Sequence, residues 1–293
     1  MVMPARPGMT APFRLPRRQV ESHKGTYGRV LVVAGSPGMA GAAILAGSAA
    51  LRGGAGLVQV ACPAEIQAIV AVGNPCYMTH GISHHADGTY SEASISDLAT
   101  VATQADVLAI GPGLGNRKDV AALVWGVLQA APDKPTIMDA DGLNVIAPLA
   151  GEFAGRSAPL ILTPHPGELA RLTGKSVSAI QADREKVASE FARRFGVILV
   201  LKGHETVVTD GNQLYHNSTG NPGMATGGSG DVLTGLIAAL AATGLPGFES
   251  AGLGVWIHGR AGDLAAAARS ETALIASDLL DFLPAVFLEL ESH

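Results

Sequence analysis

The sequence is poor in the features that would place it in several large protein classes. Its 293 residues include two cysteines, Cys62 and Cys76, neither of them in a CxxC pair. That excludes a disulfide framework and a zinc site, and both thiols are expected as buried small hydrophobes. Charged residues make up 15%, with 20 basic against 25 acidic side chains and no sustained Lys/Arg run. A net charge of −5 distributed this way gives no electrostatic footprint for nucleic acid or a membrane surface. No unbroken apolar stretch reaches the roughly 18–20 residues needed to span a bilayer. The first sixteen residues, MVMPARPGMTAPFRLP, hold four prolines and lack the apolar segment of a signal peptide. They are expected to form a disordered leader, residues 1–16, on a cytoplasmic protein.

What the chain has in plenty is glycine, 37 residues, within a composition that is 47% hydrophobic. No G-X-Y period or Gly/Ser tract accompanies it, so collagen-like and disordered classes are excluded. The glycines are expected in tight turns and binding loops. From Arg29 onward, β-branched runs alternate with alanine-rich helical stretches: Val30–Ala34 then Ala40–Arg52, Leu57–Ala61 then Glu65–Ala71, Val107–Ile110 then Lys118–Ala130. This is the rhythm of βαβ units. Thr136–Met138, Leu160–Leu162 and Val197–Leu201 are further strands, nearly all apolar, as expected where helices cover both sheet faces. The fold class is α/β, a doubly wound layer.

After Leu201 the pattern changes to a hairpin, Thr206–Thr209 and Gln213–His216 joined by Asp210-Gly211-Asn212, then a glycine-rich loop. Three helical segments follow, Asp231–Ala242, Ala251–Ala268 and Ala276–Leu288. Neither an internal repeat nor a linker interrupts residues 17–293, which read as a single domain.

The strongest chemical signal is Asn221-Pro-Gly-Met-Ala-Thr-Gly-Gly-Ser-Gly-Asp231 at the entrance to a helix. Gly227, Gly228 and Gly230 let the backbone bend closely around Ser229, and a helix start presents unpaired N–H groups and positive dipole potential. That is an anion cradle with Asp231 at its mouth, although an N-cap role alone would also explain the aspartate. Two nucleotide fingerprints fail on spacing. Gly174-Lys175-Ser176 ends like a P-loop, but the required first glycine falls at Leu169, and Gly111-Pro-Gly-Leu-Gly115 does not match G-x-G-x-x-G.

Four further segments each follow a strand, on the edge where open α/β sheets bind ligands. Gly111–Gly115 is the first, with a plain turn as the alternative. Thr163-Pro-His-Pro-Gly-Glu168 holds His165 rigidly between prolines and puts Glu168 on a first helical turn. Met138-Asp-Ala-Asp-Gly142 offers Asp139 and Asp141, residue types that hold hydrated magnesium near phosphates or simply cap a helix. Leu201-Lys-Gly-His-Glu-Thr206 sets a cation beside a glycine, or a lysine on a solvated face. His84 and His85 lie in a polar stretch and are expected at the surface.

Together, Ser22-His-Lys-Gly-Thr-Tyr-Gly-Arg-Val-Leu-Val-Val-Ala-Gly-Ser36, Gly111–Gly115, Thr163–Glu168, Lys202-Gly203 and Gly227–Asp231 closely resemble the ADP/ATP-dependent NAD(P)H-hydrate dehydratases, in order from about Leu15 onward. The resemblance implies a ribokinase-like three-layer fold with a central, mostly parallel sheet covered by helices on both faces. It implies a lyase that repairs the S-epimer of hydrated NADH and NADPH through a phosphorylated intermediate, with ADP, or ATP, as co-substrate and Mg²⁺ as cofactor. The related alternative is an ATP-dependent small-molecule kinase of the same superfamily. Carried over by position, Ala42, Gly113, His165 and Asp231 would contact the hydrate, with Asp231 catalytic. Lys202, Gly203, His204, Glu205, Thr206 and Gly230 would hold the adenine nucleotide. Glu168 and Asp141 are the magnesium candidates. A separate NAD(P)H-hydrate epimerase is the implied functional partner. A homotetramer is implied too, to which the small side chains of Ala40–Ala50 and Ala251–Ala268 add a reason of their own, close helix packing.

Overall fold

The computed structural model describes residues 10–146 and 156–292. Among the described residues, nine strands form one sheet: β1 (Arg29–Val33), β2 (Leu57–Pro63), β3 (Met78–Ile82), β4 (Val107–Ile110), β5 (Thr136–Met138), β6 (Leu160–Leu162), β7 (Ile198–Leu201), β8 (Val207–Thr209) and β9 (Leu214–His216). Their spatial order is β3-β2-β1-β4-β5-β6-β7-β8-β9. The first seven in chain order run parallel, and only the β7–β8 and β8–β9 pairings are antiparallel.

Helices fill the intervals: α1 (Ala40–Arg52), α2 (Ala64–Gly73), α3 (Ser94–Ala102), α4 (Lys118–Ala130), α5 (Ala140–Ile146), α6 (Pro166–Thr173), α7 (Val177–Ala182) and α8 (Arg184–Phe195). After the hairpin come α9 (Ser229–Ala242), α10 (Gly247–Arg269) and α11 (Ala276–Glu291). Successive strand residues point to opposite faces, which sorts the apolar runs into two cores. Leu31, Val33, Leu108 and Ile110 join the side chains of α3, α4, α6 and α8. Val30, Val32, Val107 and Ala109 meet those of α1, α9 and α10 on the other face. The three-layer α/β architecture therefore stands as expected.

The chain runs from β1 outward to β3, then returns to lay β4 on the other side of β1. That reversal makes a topological switch point beyond the carboxyl ends of β1 and β4, where doubly wound sheets open a crevice. Helix α1 starts at this crevice and packs directly along α9. A Cβ on Gly235 would lie 2.0 Å from the Ala46 carbonyl oxygen, so the closeness of the two helices depends on glycine.

Several sequence expectations need correction. Ala43, Ala46, Ala49 and Ala50 of α1, and Ala251, Ala261 and Ala265 of α10, are buried within the chain. Their small size serves helix packing inside the protomer, so a homotetramer rests on the family resemblance alone. Cys62 is buried but Cys76 is exposed. His84 and His85 are half-buried: His84 forms an isolated bridge with Tyr90, and His85 Nε2 lies 2.7 Å from Asp119 Oδ2. Residues 1–9 of the expected leader lie outside the described residues. Phe13, inside the expected leader, packs edge-on against Phe248 and Tyr215, with ring centroids 5.8 and 6.3 Å away. Among the described residues, no helix is long and apolar enough to cross a membrane.

Candidate functional site

The crevice is lined first by the loops after β1 and β4, which are tied together by Gly35 N–H donating to the Pro112 carbonyl at 2.8 Å. Gly111 has φ +134, and a Cβ there would lie 1.8 Å from the Asp139 carbonyl oxygen. Only glycine fits that approach. A Cβ on Gly113 would stand 3.1 Å from Ala42 Cβ, so the two residues expected to meet the hydrate are neighbours. Gly115 N–H donates to Asp141 Oδ2 at 2.8 Å, fixing the far end of the loop. The segment is more than a plain turn: its conformation brings the β4 loop onto α1 and α5.

Ala140 is the only residue between the two aspartates and has φ +48, a left-handed conformation that costs an alanine about 1 kcal/mol or more. The strained turn sends the carboxylates apart. Asp141 holds the Gly115 amide, while Asp139, 1% exposed, turns inward. Lys202 Nζ donates to Asp139 Oδ1 at 2.6 Å, and Thr234 Oγ1 donates to Asp139 Oδ2 at 2.9 Å. Burial opposes the charge on Asp139, but the Lys202 ammonium and the hydroxyls of Thr163 and Thr234 hold its pKa below the ordinary value. Burial likewise opposes the charge of Lys202, and Asp139 with Glu168 outweighs it, raising that pKa. Lys202 is therefore not a lysine on a solvated face.

Between β6 and α6, His165 caps the helix. Its Nδ1 accepts the N–H groups of Gly167 at 3.0 Å and Glu168 at 3.2 Å, and Glu168 Oε2 accepts the His165 N–H at 2.7 Å. This reciprocal box explains the spacing of the two residues. With Nδ1 accepting, the ring proton is assigned to Nε2, on an imidazole that is exposed. Glu168 is buried and its Oε2 lies 3.8 Å from Lys202 Nζ.

Helix α9 begins at Ser229, earlier than the expected Asp231, because Gly228 with φ +94 turns the chain into it. Gly228 occupies the cap position, so Asp231 sits on the first turn and the N-cap explanation for it falls. Ser229 Oγ donates to the Met224 carbonyl at 2.9 Å, and the Ser229 carbonyl accepts from His258 Nε2 at 2.9 Å. Burial pushes the His258 pKa down to about 4, which keeps this ring neutral. A Cβ on Gly230 would stand 3.2 Å from Asp139 Oδ2 and 3.3 Å from Lys202 Nζ, so glycine lets the helix start reach the ion pair.

Burial, with the carboxylates of Asp139 and Asp141, pushes the Asp231 pKa up to about 7 against the opposing pull of Lys202. A carboxyl poised near neutrality, beside a half-buried cation and a helix N-terminus that attracts anions, can take a proton from a hydroxyl while a phosphoryl group is held next to it. Sequence reasoning brought out Asp231 and Lys202 but missed Thr234 and His258. A lone hydroxyl in the apolar stretch Val232–Ala242 was the available sign of Thr234, whereas His258 has no local motif.

The family model for NAD(P)H-hydrate dehydratase matches residues 30–285. The bifunctional NAD(P)H-hydrate repair enzyme Nnr of Moorella thermoacetica is 48% identical over 282 residues, covering 96% of this chain and 53% of that protein. The chain thus spans about half the length of such bifunctional relatives. The ADP-dependent (S)-NAD(P)H-hydrate dehydratase of Bacillus subtilis is 36% identical over 94% of this chain and 95% of its own. The crystal structure of ADP/ATP-dependent NAD(P)H-hydrate dehydratase from Bacillus subtilis, co-crystallized with ATP/Mg²⁺, is similar with a TM-score of 0.83 and 34% identity, covering 94% of this chain and 95% of that one.

Proposed function

The chain belongs to the NAD(P)H-hydrate dehydratase family, and from that premise we propose that it returns the S-epimer of hydrated NADH or NADPH to NAD(P)H, consuming ADP and releasing AMP and phosphate. Its fold is ribokinase-like. The observation that carries the reading is the position of Asp231: on the first turn of α9, its pKa raised to about 7, beside the pair of half-buried Lys202 and buried Asp139.

The hydrate carries a hydroxyl on a tetrahydropyridine ring, a poor leaving group until it is phosphorylated. In this reading Ala42, Gly113 and His165 seat the ring, and Asp231 accepts the hydroxyl proton as the oxygen attacks the terminal phosphorus of ADP. The bond from that phosphorus to its bridging oxygen breaks and AMP leaves. The amides of Gly227–Gly230 and the Lys202 ammonium offset charge on the phosphoryl group in transit. The ring nitrogen's lone pair then expels phosphate, a proton leaves the neighbouring ring carbon, and the dihydronicotinamide double bond is restored. Lys202, Gly203, His204, Glu205 and Thr206, with Gly230, hold the nucleotide.

The donor set suits Mg²⁺ carried on the nucleotide. The nearby acids Asp141 and Glu168 offer only oxygen donors. Mg²⁺ binds in this way, through one or two carboxylates plus phosphates and retained waters. Asp141 and Glu168 would hold it, each carboxylate accepting a single backbone amide, whereas both oxygens of Asp139 are taken by Lys202 and Thr234. The ion would screen phosphate charge during transfer. The bifunctional repair enzymes among the relatives support a partnership with an epimerase activity.

The test incubates the protein with hydrated NADH and Mg²⁺, with and without ADP or ATP, and follows dihydronicotinamide absorbance. Its return is expected only with nucleotide, and ADP is expected to serve at least as well as ATP. A stable phosphorylated product without recovered absorbance would make the protein a small-molecule kinase instead.

A further inference from the structure

The loop from Leu201 to Thr206 has a support that no motif announces. Arg184 is the first residue of α8, behind an N-cap at Asp183. Its guanidinium reaches the end of β7, where Nη2 donates to the carbonyls of Leu201 at 2.9 Å and Lys202 at 3.3 Å, and Nη1 donates to Gln181 Oε1 at 2.9 Å. Successive carbonyls along a strand point to opposite sides, so two that share one donor mark the place where the strand ends. Gly203 follows with φ +136, and a Cβ on it would stand 3.2 Å from Arg184 Nη1. Glycine therefore permits both the turn and the approach of the guanidinium.

Across a trans peptide the C=O and N–H point in opposite directions. The Leu201–Lys202 peptide shows the consequence: its carbonyl faces Arg184, and its N–H donates to the Pro164 carbonyl at 2.9 Å, on the side of His165 and Glu168. With the Lys202 carbonyl held by the same guanidinium, the Gly203 N–H is turned away from α8. Farther along, the Gly203 carbonyl accepts Thr206 Oγ1 at 2.9 Å, and the Thr206 carbonyl accepts Asn217 N–H at 3.0 Å. Four carbonyls of the loop are thus taken up by the protein. The Lys202 N–H is spent on Pro164, so the Gly203 and His204 amides, opposite the held Lys202 and Gly203 carbonyls, are the donors the loop presents, which is the requirement for receiving an anion.

We propose that Arg184 is a positioning residue for the adenine nucleotide: by holding the Leu201 and Lys202 carbonyls it turns the Gly203 and His204 amides of the Lys202–Thr206 loop toward the phosphates. The inference rests on the nucleotide-binding reading of that loop. Arg184 acts through the backbone and needs no contact with the ligand. A planar fork with several donors serves three acceptors at once, which an ammonium on a flexible stem does less well.

The experiment compares wild type, Arg184→Lys and Arg184→Met by calorimetric ADP binding, KM for hydrated NADH, and hydrogen exchange of the 202–206 amides. Arg184→Met is expected to weaken ADP binding about tenfold or more, the usual size of a lost charge-assisted hydrogen bond. Hydrate KM should stay within about twofold, the 202–206 amides should exchange faster, and Arg184→Lys should fall between the other two. ADP binding by Arg184→Met within about twofold of wild type, or a parallel loss for ADP and hydrate, would overturn the proposal. If Arg184→Met does not fold, Arg184→Lys decides, and unchanged ADP affinity in it overturns the proposal. A wild type that binds neither ADP nor ATP overturns the nucleotide reading itself, a result distinct from equal binding by wild type and variant.

Discussion

Asp231→Asn is expected to lower turnover by about 10²–10⁴-fold, the range of a general-base contribution, while ADP still binds. Asparagine is isosteric and keeps the helix start intact, but it cannot take the hydroxyl proton. The same substitution should raise thermal stability at pH 8. A carboxyl whose pKa is pushed from 3.8 to about 7 on folding contributes stability that is fully present below the unfolded value and lost as the pH climbs to about 7. Wild type therefore bears a penalty at pH 8 that the amide escapes, and near pH 4 the difference should close. In wild type, kcat/KM should rise with pH through a midpoint near 7 as Asp231 ionises. Melting curves at both pH values, with kcat and ADP Kd from one preparation, check all of this. Turnover within about threefold of wild type would remove Asp231 from the chemistry.

Lys202→Met is expected to cost about 3–5 kcal/mol of folding stability, because it leaves the Asp139 carboxylate buried without its cation. In wild type both pKa shifts favour the charged pair: Asp139 is lowered and Lys202 raised, so the pair's contribution stays level across the neutral range. Without the lysine, the buried carboxyl must stay protonated or remain charged at a cost, and the deficit should grow between pH 5 and pH 8. Urea unfolding at both pH values measures it. Adding Asp139→Asn should recover part of the loss by removing the stranded charge, whereas a deficit independent of pH would refute the buried-pair account.

These two residues also show how far the sequence could be read. Helices α1 and α4 were legible to the residue, since Ala40–Arg52 and Lys118–Ala130 are strong helix formers bounded by glycine, polar residues or proline. The strands β4, β5 and β6 were legible as short apolar runs. Edge strand β3, Met78–Ile82, escaped because Thr79, His80 and Gly81 break the apolar pattern and only Ile82 is buried. The start of α9 was misplaced because Gly228 supplies a left-handed cap that no side chain signals.

At the site, sequence brought each loop to the crevice edge but could not say which side chains meet there. Asp139 finds Lys202 across 63 positions and Thr234 across 95, and only the sheet order and the packing of α9 on the sheet make them neighbours. Nor could spacing separate the two aspartates. The left-handed Ala140 between them commits one to an ion pair and the other to the Gly115 amide.

In the proposed reaction a kinase-like site performs a net dehydration by first phosphorylating the hydrate. The most direct measurement starts from NADH hydrate carrying ¹⁸O in its ring hydroxyl and follows the label through turnover with ADP. Attack by that oxygen on phosphorus, followed by expulsion of phosphate, predicts that the ¹⁸O is recovered in inorganic phosphate as dihydronicotinamide absorbance returns. Label recovered in water instead would mean that the hydroxyl leaves without ever being phosphorylated, and would contradict the account.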